Sequence, residues 1–273
     1  MAEGRIVAAA PARQPRRGVA HAGRTLVLGH RGASGDAPEN TLAAFRLALA
    51  QGADGVELDV WRCATGELAV IHDEDTRRVA GPVLRVPATP WRDLRSLDVG
   101  AWKGARFAGE RILRLEEALE AMPGAVVNVE LKTARGESAA ALARAAAEAI
   151  RTARAGERVV VSSFDWRALS AFRAAAPSVA LGLLFDRKAA WPVRVAVGVA
   201  LLRPAAVHPH RALASEARMR AWAARGLDVN VWTVDEPEEV RRLASLGASA
   251  VITNWPARAV EALRGVPTRP ARG

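Results

Sequence analysis

Short apolar runs alternate with stretches in which apolar positions recur every three or four residues, and Gly, Pro or a capping side chain marks most switches. The runs fall at Leu26–Leu28, Gly55–Cys63, Leu68–His72, Ala125–Lys132, Val159–Phe164, Ala180–Phe185, Ala205–His208, Leu227–Val234 and Ala250–Asn254, and read as strands. Helices are predicted over Thr41–Gln51, Leu115–Ala121, Ser138–Ala155, Trp166–Ala175, Lys188–Leu202, Ser215–Ala224, Pro237–Leu246 and Ala257–Leu263. Mostly apolar strands of this kind belong in a parallel sheet covered by helices on its outer side. Eight strand–helix units predict a single α/β domain, a (β/α)8 barrel over residues 25–264. Between about 74 and 112 the pattern weakens into Pro, Gly, Asp and Trp, which predicts a rim insertion after the second strand. An open doubly wound sheet is the rival architecture. Against it, His30, Glu57, His72, Glu130, Lys132, His208 and Trp232 all come near the ends of different strands, and a barrel gathers such ends at one face.

Composition changes this picture little. Half of the 273 residues are hydrophobic and a quarter charged, enough for a sizeable core. The lone Cys63 can make no internal disulfide. The formal charge of +10 suggests a polyanion partner until it is located: residues 1–24 carry +4 and residues 264–273 carry +3, leaving +3 for the body. That body offers no basic face of nucleic-acid type. Residues 1–24 and 265–273 read as basic tails, the first without the long apolar core of a signal peptide. The longest apolar zone, 189–207, is interrupted by Pro192, Arg194, Arg203 and Pro204, so no transmembrane segment is expected and the protein is placed in the cytoplasm.

The chemistry concentrates in four stretches. The run LVLGHRGASGDAPENT delivers His30 and Arg31 to a Gly-rich turn ahead of a helix. In GVELDVWRC, Glu57 and Asp59 are two apart and share one strand face. LAVIHDEDT presents His72 at the end of an apolar run, and VVNVELK puts Asn128, Glu130 and Lys132 on one face. Three inward carboxylates, Glu57, Asp59 and Glu130, repel one another unless neutralised. A divalent cation would do so, and an all-oxygen set favours Mg²⁺ or Ca²⁺ over Zn²⁺. The alternative is that these acids pair with Arg31 and Lys132 and bind no metal.

With HRG, PENT, ELDV and HD in this order, the chain resembles the glycerophosphodiester phosphodiesterase family, and SSFD (162–165), VWTV (231–234) and ITNWP (252–256) are similar to its later strand ends. The likeness covers about residues 26–262. It implies a barrel of metal-dependent enzymes that split glycerophosphodiesters into glycerol 3-phosphate and an alcohol. It further implies that His30 and His72 are the acid/base pair, that Glu57, Asp59 and Glu130 bind the metal, and that Arg31 and Lys132 hold phosphate. Trp232 would then wall the glycerol or alcohol moiety, and His208 either lines the pocket or serves the core. The sequence departs from the family at Asp36, where an aromatic is frequent, at Asn254, where Asp is usual, and at Leu113–Leu115.

The residues themselves suit such a reaction. A phosphodiester needs its nonbridging oxygens neutralised, its nucleophile activated and its leaving alkoxide protonated. A cation with Arg31 and Lys132 can supply the first, and two imidazoles the others. Glu39 and Asn40 read as local bracing at the helix start. Two further readings of the barrel remain: a lysophospholipase D-type phosphodiesterase with an apolar track from Trp91, Trp102 and Phe107, in weak contact with a membrane surface, and a barrel that binds phosphodiesters without turnover.

Overall fold

A computed structural model describes residues 23–187 and 193–266. The expected tails, apart from their innermost residues, and the first part of the helix expected from Lys188 lie outside these. In chain order the elements are β1 (Leu26–His30), α1 (Leu42–Ala50), β2 (Gly55–Arg62), β3 (Leu68–Val70), α2 (Arg77–Ala80), α3 (Trp91–Ser96), β4 (Leu113–Arg114), α4 (Leu115–Glu120) and β5 (Val126–Leu131). Then come α5 (Ala139–Thr152), β6 (Val159–Ser163), α6 (Trp166–Ala175), β7 (Ala180–Phe185), α7 (Val193–Leu202), β8 (Ala206–Pro209), α8 (Glu216–Ala223), β9 (Asp228–Val231), α9 (Pro237–Ser245), β10 (Ala250–Thr253) and α10 (Pro256–Leu263).

Eight of the strands pair in parallel in the order β1, β2, β5, β6, β7, β8, β9, β10, and β10 pairs again with β1. The ring is closed, which eliminates the open-sheet rival and leaves a (β/α)8 barrel. The run expected as a strand at Leu68–His72 is one over Leu68–Val70, but it lies outside the ring. There it pairs antiparallel with the far end of β2, and β4 extends it. The departure from the ring therefore begins just after Arg62 and ends at α4. Its Cys63, Ile71, Val86, Leu94 and Ile112 form a small separate core with Trp61 at the end of β2.

Strand alternation divides the ring into two populations. Outward residues such as Val56, Leu58, Val127, Val129 and Leu181 pack against Phe45, Phe172 and other apolar faces of the helices. Inward, Leu26, Leu28, Ala250 and Ile252 fill the floor. Above that floor the lining turns polar, with Asn128, Ser162, His208 and Asn230 all buried. Thr41 caps α1 by accepting the Ala44 N–H, which settles the sequence's choice between Asn40 and Thr41.

Small residues are required where the interior is tightest. A Cβ on Gly182 would stand 2.3 Å from Nε2 of His208, whose ring is held by Asn230 at 3.0 Å. Gly182→Ala is therefore expected to destabilise the barrel by about 1–3 kcal/mol, as overpacking usually does, measured by urea denaturation.

Candidate active site

The mouth is assembled by the ends of β1, β2 and β5 and by the hairpin of β2 with β3. Register places His30 level with Glu57, and Asp59 level with Glu130. Two-residue spacing then turns Glu57 and Asp59 to the same interior, with Glu130 beside them. One oxygen from each lies within 4.8 Å of the others, and all three residues are buried.

The first turn after β1 brings the cation. Arg31 and Asn40 both adopt left-handed backbone angles, with φ of 55° and 58°, and the Asn40 N–H donates to the Arg31 carbonyl at 2.9 Å. Gly32 follows at φ 85°, and a Cβ there would meet the backbone of Ala44 at 2.6 Å, so this turn needs glycine. In this conformation the Arg31 N–H donates to Glu57 Oε2 at 3.2 Å. Its side-chain Nε stands 3.3 Å from Asp59 Oδ2, and its Nη1 donates to Glu39 at 2.9 Å. Lys132 places Nζ 2.6 Å from Glu130 and 3.0 Å from Asp59. The Asn40 amide donates to Asp59 at 2.9 Å. Glu39 and Asn40 thus brace the site itself rather than the helix start.

Charge does not balance among these groups. Three carboxylates face two cations. Burial, then Asp59 and Glu130, push the Glu57 carboxyl well above the usual range. Burial also lifts Glu130, to about 7, although Lys132 opposes it. Asp59 is held below its ordinary value: burial alone would raise it, but Lys132 and Arg31 outweigh burial. Such a set, all oxygen donors and one negative charge in excess once all three are ionised, fits a hard divalent cation and would turn net positive on binding it, ready for a phosphate anion.

Two imidazoles flank the cluster. His30 Nε2 lies 3.9 Å from Glu57 Oε2, and its Nδ1 is 2.7 Å from the Asn254 side-chain oxygen. Burial, with Arg31 nearby, lowers His30 to about 4. His72 is carried back over Asp59 by the hairpin: the Ile71 N–H donates to the Asp59 carbonyl at 3.1 Å, and the Trp61 indole donates to the His72 carbonyl at 2.9 Å. Its Nδ1 is 2.7 Å from Asp73, and burial lowers its pKa against the opposing pull of Asp59. Arg78, from the insertion, clamps both Asp73, at 2.6 Å, and Glu39, at 2.6 and 2.8 Å.

Seven of the nine residues expected from the sequence therefore meet: His30, Arg31, Glu57, Asp59, His72, Glu130 and Lys132. Trp232 is adjacent. It stands edge-on to Phe164 and His210, with ring centroids 5.8 and 5.3 Å away, and its indole donates to the His208 carbonyl. His208 itself is 0 % exposed and sits in the interior layer beneath, where burial drops its pKa to about 3. Sequence reasoning missed Phe164, Asp73, Arg78 and the service of Asn254. Phe164 was findable from parity, being two residues beyond the inward Ser162. Of the expected apolar track, Trp102 and Phe107 sit on neighbouring turns, tied to the β1–α1 loop by Lys103 donating to the Ser34 carbonyl at 2.8 Å. Trp91 instead packs against the insertion core.

A closed (β/α)8 ring that gathers an acid cluster able to hold a cation, two basic groups and one imidazole at the C-terminal ends of its strands, with a second imidazole brought over them by the hairpin, defines an enzyme for phosphate esters. The comparisons with known proteins narrow that class. The profile of the glycerophosphoryl diester phosphodiesterase family matches residues 30–258. A glycerophosphodiester phosphodiesterase of Caldanaerobacter subterraneus subsp. tengcongensis is 32% identical over 243 residues, 88% of this chain and 98% of that one. Among solved structures, a phosphodiesterase of Oleispira antarctica in complex with the product sn-glycerol-3-phosphate superposes with a TM-score of 0.80 at 29% identity, covering 89% of this chain and 98% of its own. A glycerophosphodiester phosphodiesterase of Agrobacterium tumefaciens gives 0.75 at 28%, covering 87% and 99%. The chain belongs to the glycerophosphoryl diester phosphodiesterase family. No helix among the described residues is long and apolar enough to cross a membrane.

Crowding of the acids has a measurable consequence. With divalent ions chelated, Glu57→Gln removes a buried carboxyl whose ionisation burial, Asp59 and Glu130 oppose, so its Tm is expected to rise above that of the wild type as pH is taken upward, by roughly 2–4 °C for each kcal/mol relieved. The same variant is expected to lose the further rise in Tm that added Mg²⁺ or Ca²⁺ gives the wild type.

Proposed function

We propose that this mouth hydrolyses glycerophosphodiesters to glycerol 3-phosphate and an alcohol, with His30 and His72 as the acid/base pair and a Mg²⁺ or Ca²⁺ ion held by Glu57, Asp59 and Glu130. The observation that carries the reading is the placement of two separately braced imidazoles, His30 on Asn254 and His72 on Asp73, against one crowded acid cluster. The sn-glycerol-3-phosphate in the Oleispira antarctica relative supports the product assignment.

A bound divalent cation would supply positive charge to the nonbridging phosphate oxygens. Arg31 and Lys132 add their own charge to the same oxygens, sharing contacts they otherwise spend on the acids. One imidazole takes the proton of the nucleophile and the other protonates the departing alkoxide. Burial of the cluster strengthens each of these interactions relative to water. Trp232, with Phe164 edge-on to it, offers an aromatic surface that suits the carbon skeleton of glycerol or the alcohol. His208 acts from below, where its carbonyl holds the Trp232 indole.

A second reading, the release of a head group from a lysophospholipid, is favoured by Trp102, which is 44 % exposed on a turn latched to the β1–α1 loop. Trp102→Ala is expected to slow lysophosphatidylcholine hydrolysis while leaving glycerophosphocholine hydrolysis unchanged.

The deciding experiment is turnover of glycerophosphocholine, read as glycerol 3-phosphate released. Chelation with EDTA is expected to stop it, and Mg²⁺ or Ca²⁺ to restore it. His72→Ala is expected to lower kcat by at least about a hundredfold, the usual worth of a proton-transfer group. Full rate in EDTA, or in the His72 variant, would sink the reading.

A further inference from the structure

Behind His30 runs a hydrogen-bonded chain that crosses three strand ends. Asp235, in the connection from β9 to α9, receives three donors. Its Oδ1 accepts the Asn254 N–H at 2.8 Å and the Thr253 hydroxyl at 3.1 Å, and its Oδ2 accepts the Asn254 side-chain amide at 2.8 Å. That last bond decides which way the Asn254 amide points, because its NH₂ end must face the acceptor. Its oxygen is thereby turned the other way, onto His30 Nδ1 at 2.7 Å and the Ser34 hydroxyl at 2.8 Å. An oxygen that can only accept requires a proton on Nδ1. In the neutral ring the lone pair is then on Nε2, the nitrogen that faces Glu57.

The structure assigns Asp235 and Asn254 the role of positioning residues that lock His30 as the Nδ1–H tautomer, making Nε2 its proton-accepting atom. This rests on the reading of the mouth as a phosphodiesterase and deepens it, because it makes His30 the member of the imidazole pair that accepts the proton of the nucleophile. Neither residue touches the acid cluster. Their path to the reacting atoms runs through the ring, the Ser34 hydroxyl and the Gly35 N–H being the other groups that Asn254 holds, so the effect falls on kcat more than on substrate affinity. The pair is also directional: an amide at 254 needs an acceptor at 235, and exchanging the two chemistries preserves the chain.

The exchange is the test. In Asp235→Asn the new amide oxygen still accepts from Thr253 and the 254 backbone, but its NH₂ confronts the NH₂ of Asn254. The Asn254 amide then turns over, presents a donor to His30 Nδ1 and forces the proton to Nε2. Imidazole ¹⁵N spectra of the folded proteins at a pH where His30 is neutral read the tautomer directly. We expect Nδ1–H in the wild type and Nε2–H in D235N. A fall in kcat of roughly 10²- to 10⁴-fold, with KM nearly unchanged, should accompany the switch, the usual effect of a mis-set catalytic imidazole. In D235N/N254D the 235 amide donates to the 254 carboxylate, which accepts from His30, and both the Nδ1–H signal and most of kcat are expected to return.

An Nε2–H ring in the wild type overturns the proposal even if D235N fails to fold. So does a D235N protein that keeps Nδ1–H, or a double variant that recovers neither signal nor rate. Absence of turnover in the wild type would instead strike at the phosphodiesterase reading, and the spectra would still answer for the tautomer.

Discussion

Three carboxylates held within 4.8 Å of one another inside a closed ring are the constraint to which the rest of this mouth answers. Buried like charges cost far more than exposed ones, so each oxygen must be met by a cation, a donor or a proton. Arg31 and Asn40 take up left-handed backbone angles that cost non-glycine residues of order 1–2 kcal/mol each. They are held there because the same turn supplies a main-chain donor to Glu57, a guanidinium to Asp59 and an amide to Asp59. Even so, with all three carboxylates ionised the local charge is one short of neutral, and that deficit is what a cation and a phosphate anion can jointly complete.

Much of this arrangement is legible in the sequence because it follows from period-two alternation. Glu57 with Asp59, and Glu130 with Lys132, must share faces once their runs are strands, and His30 must end its run beside them. The closed ring follows from the number of such runs. What alternation cannot supply is direction. Leu68–Val70 has strand composition, yet it pairs antiparallel outside the ring, because the turn at Thr65 and Gly66 is too short for the crossover that a parallel neighbour requires.

The supporting contacts were hidden for a different reason. His30 and Asn254 are 224 positions apart, and their contact exists because β1 pairs with β10. Arg78 lies in a stretch with no clear periodicity, and its two carboxylate partners come from separate parts of the chain. Asn254 stands out in the sequence as a departure from the family's usual Asp. Its meaning emerges with Asp235 beside it, since an acidic residue already occupies the position that a second carboxylate would have to face.

The strand that leads to His72 belongs to the insertion and not to the ring, and the insertion folds around apolar residues of its own. The rim of the mouth and one of its two imidazoles are therefore built on the same segment of architecture. Drift that reshapes the rim to admit a bulkier alcohol also displaces an imidazole, so descendants of this barrel cannot broaden their diet freely. Selection for a new substrate and selection for speed act on one inherited segment, and whichever is stronger sets how far the other can wander.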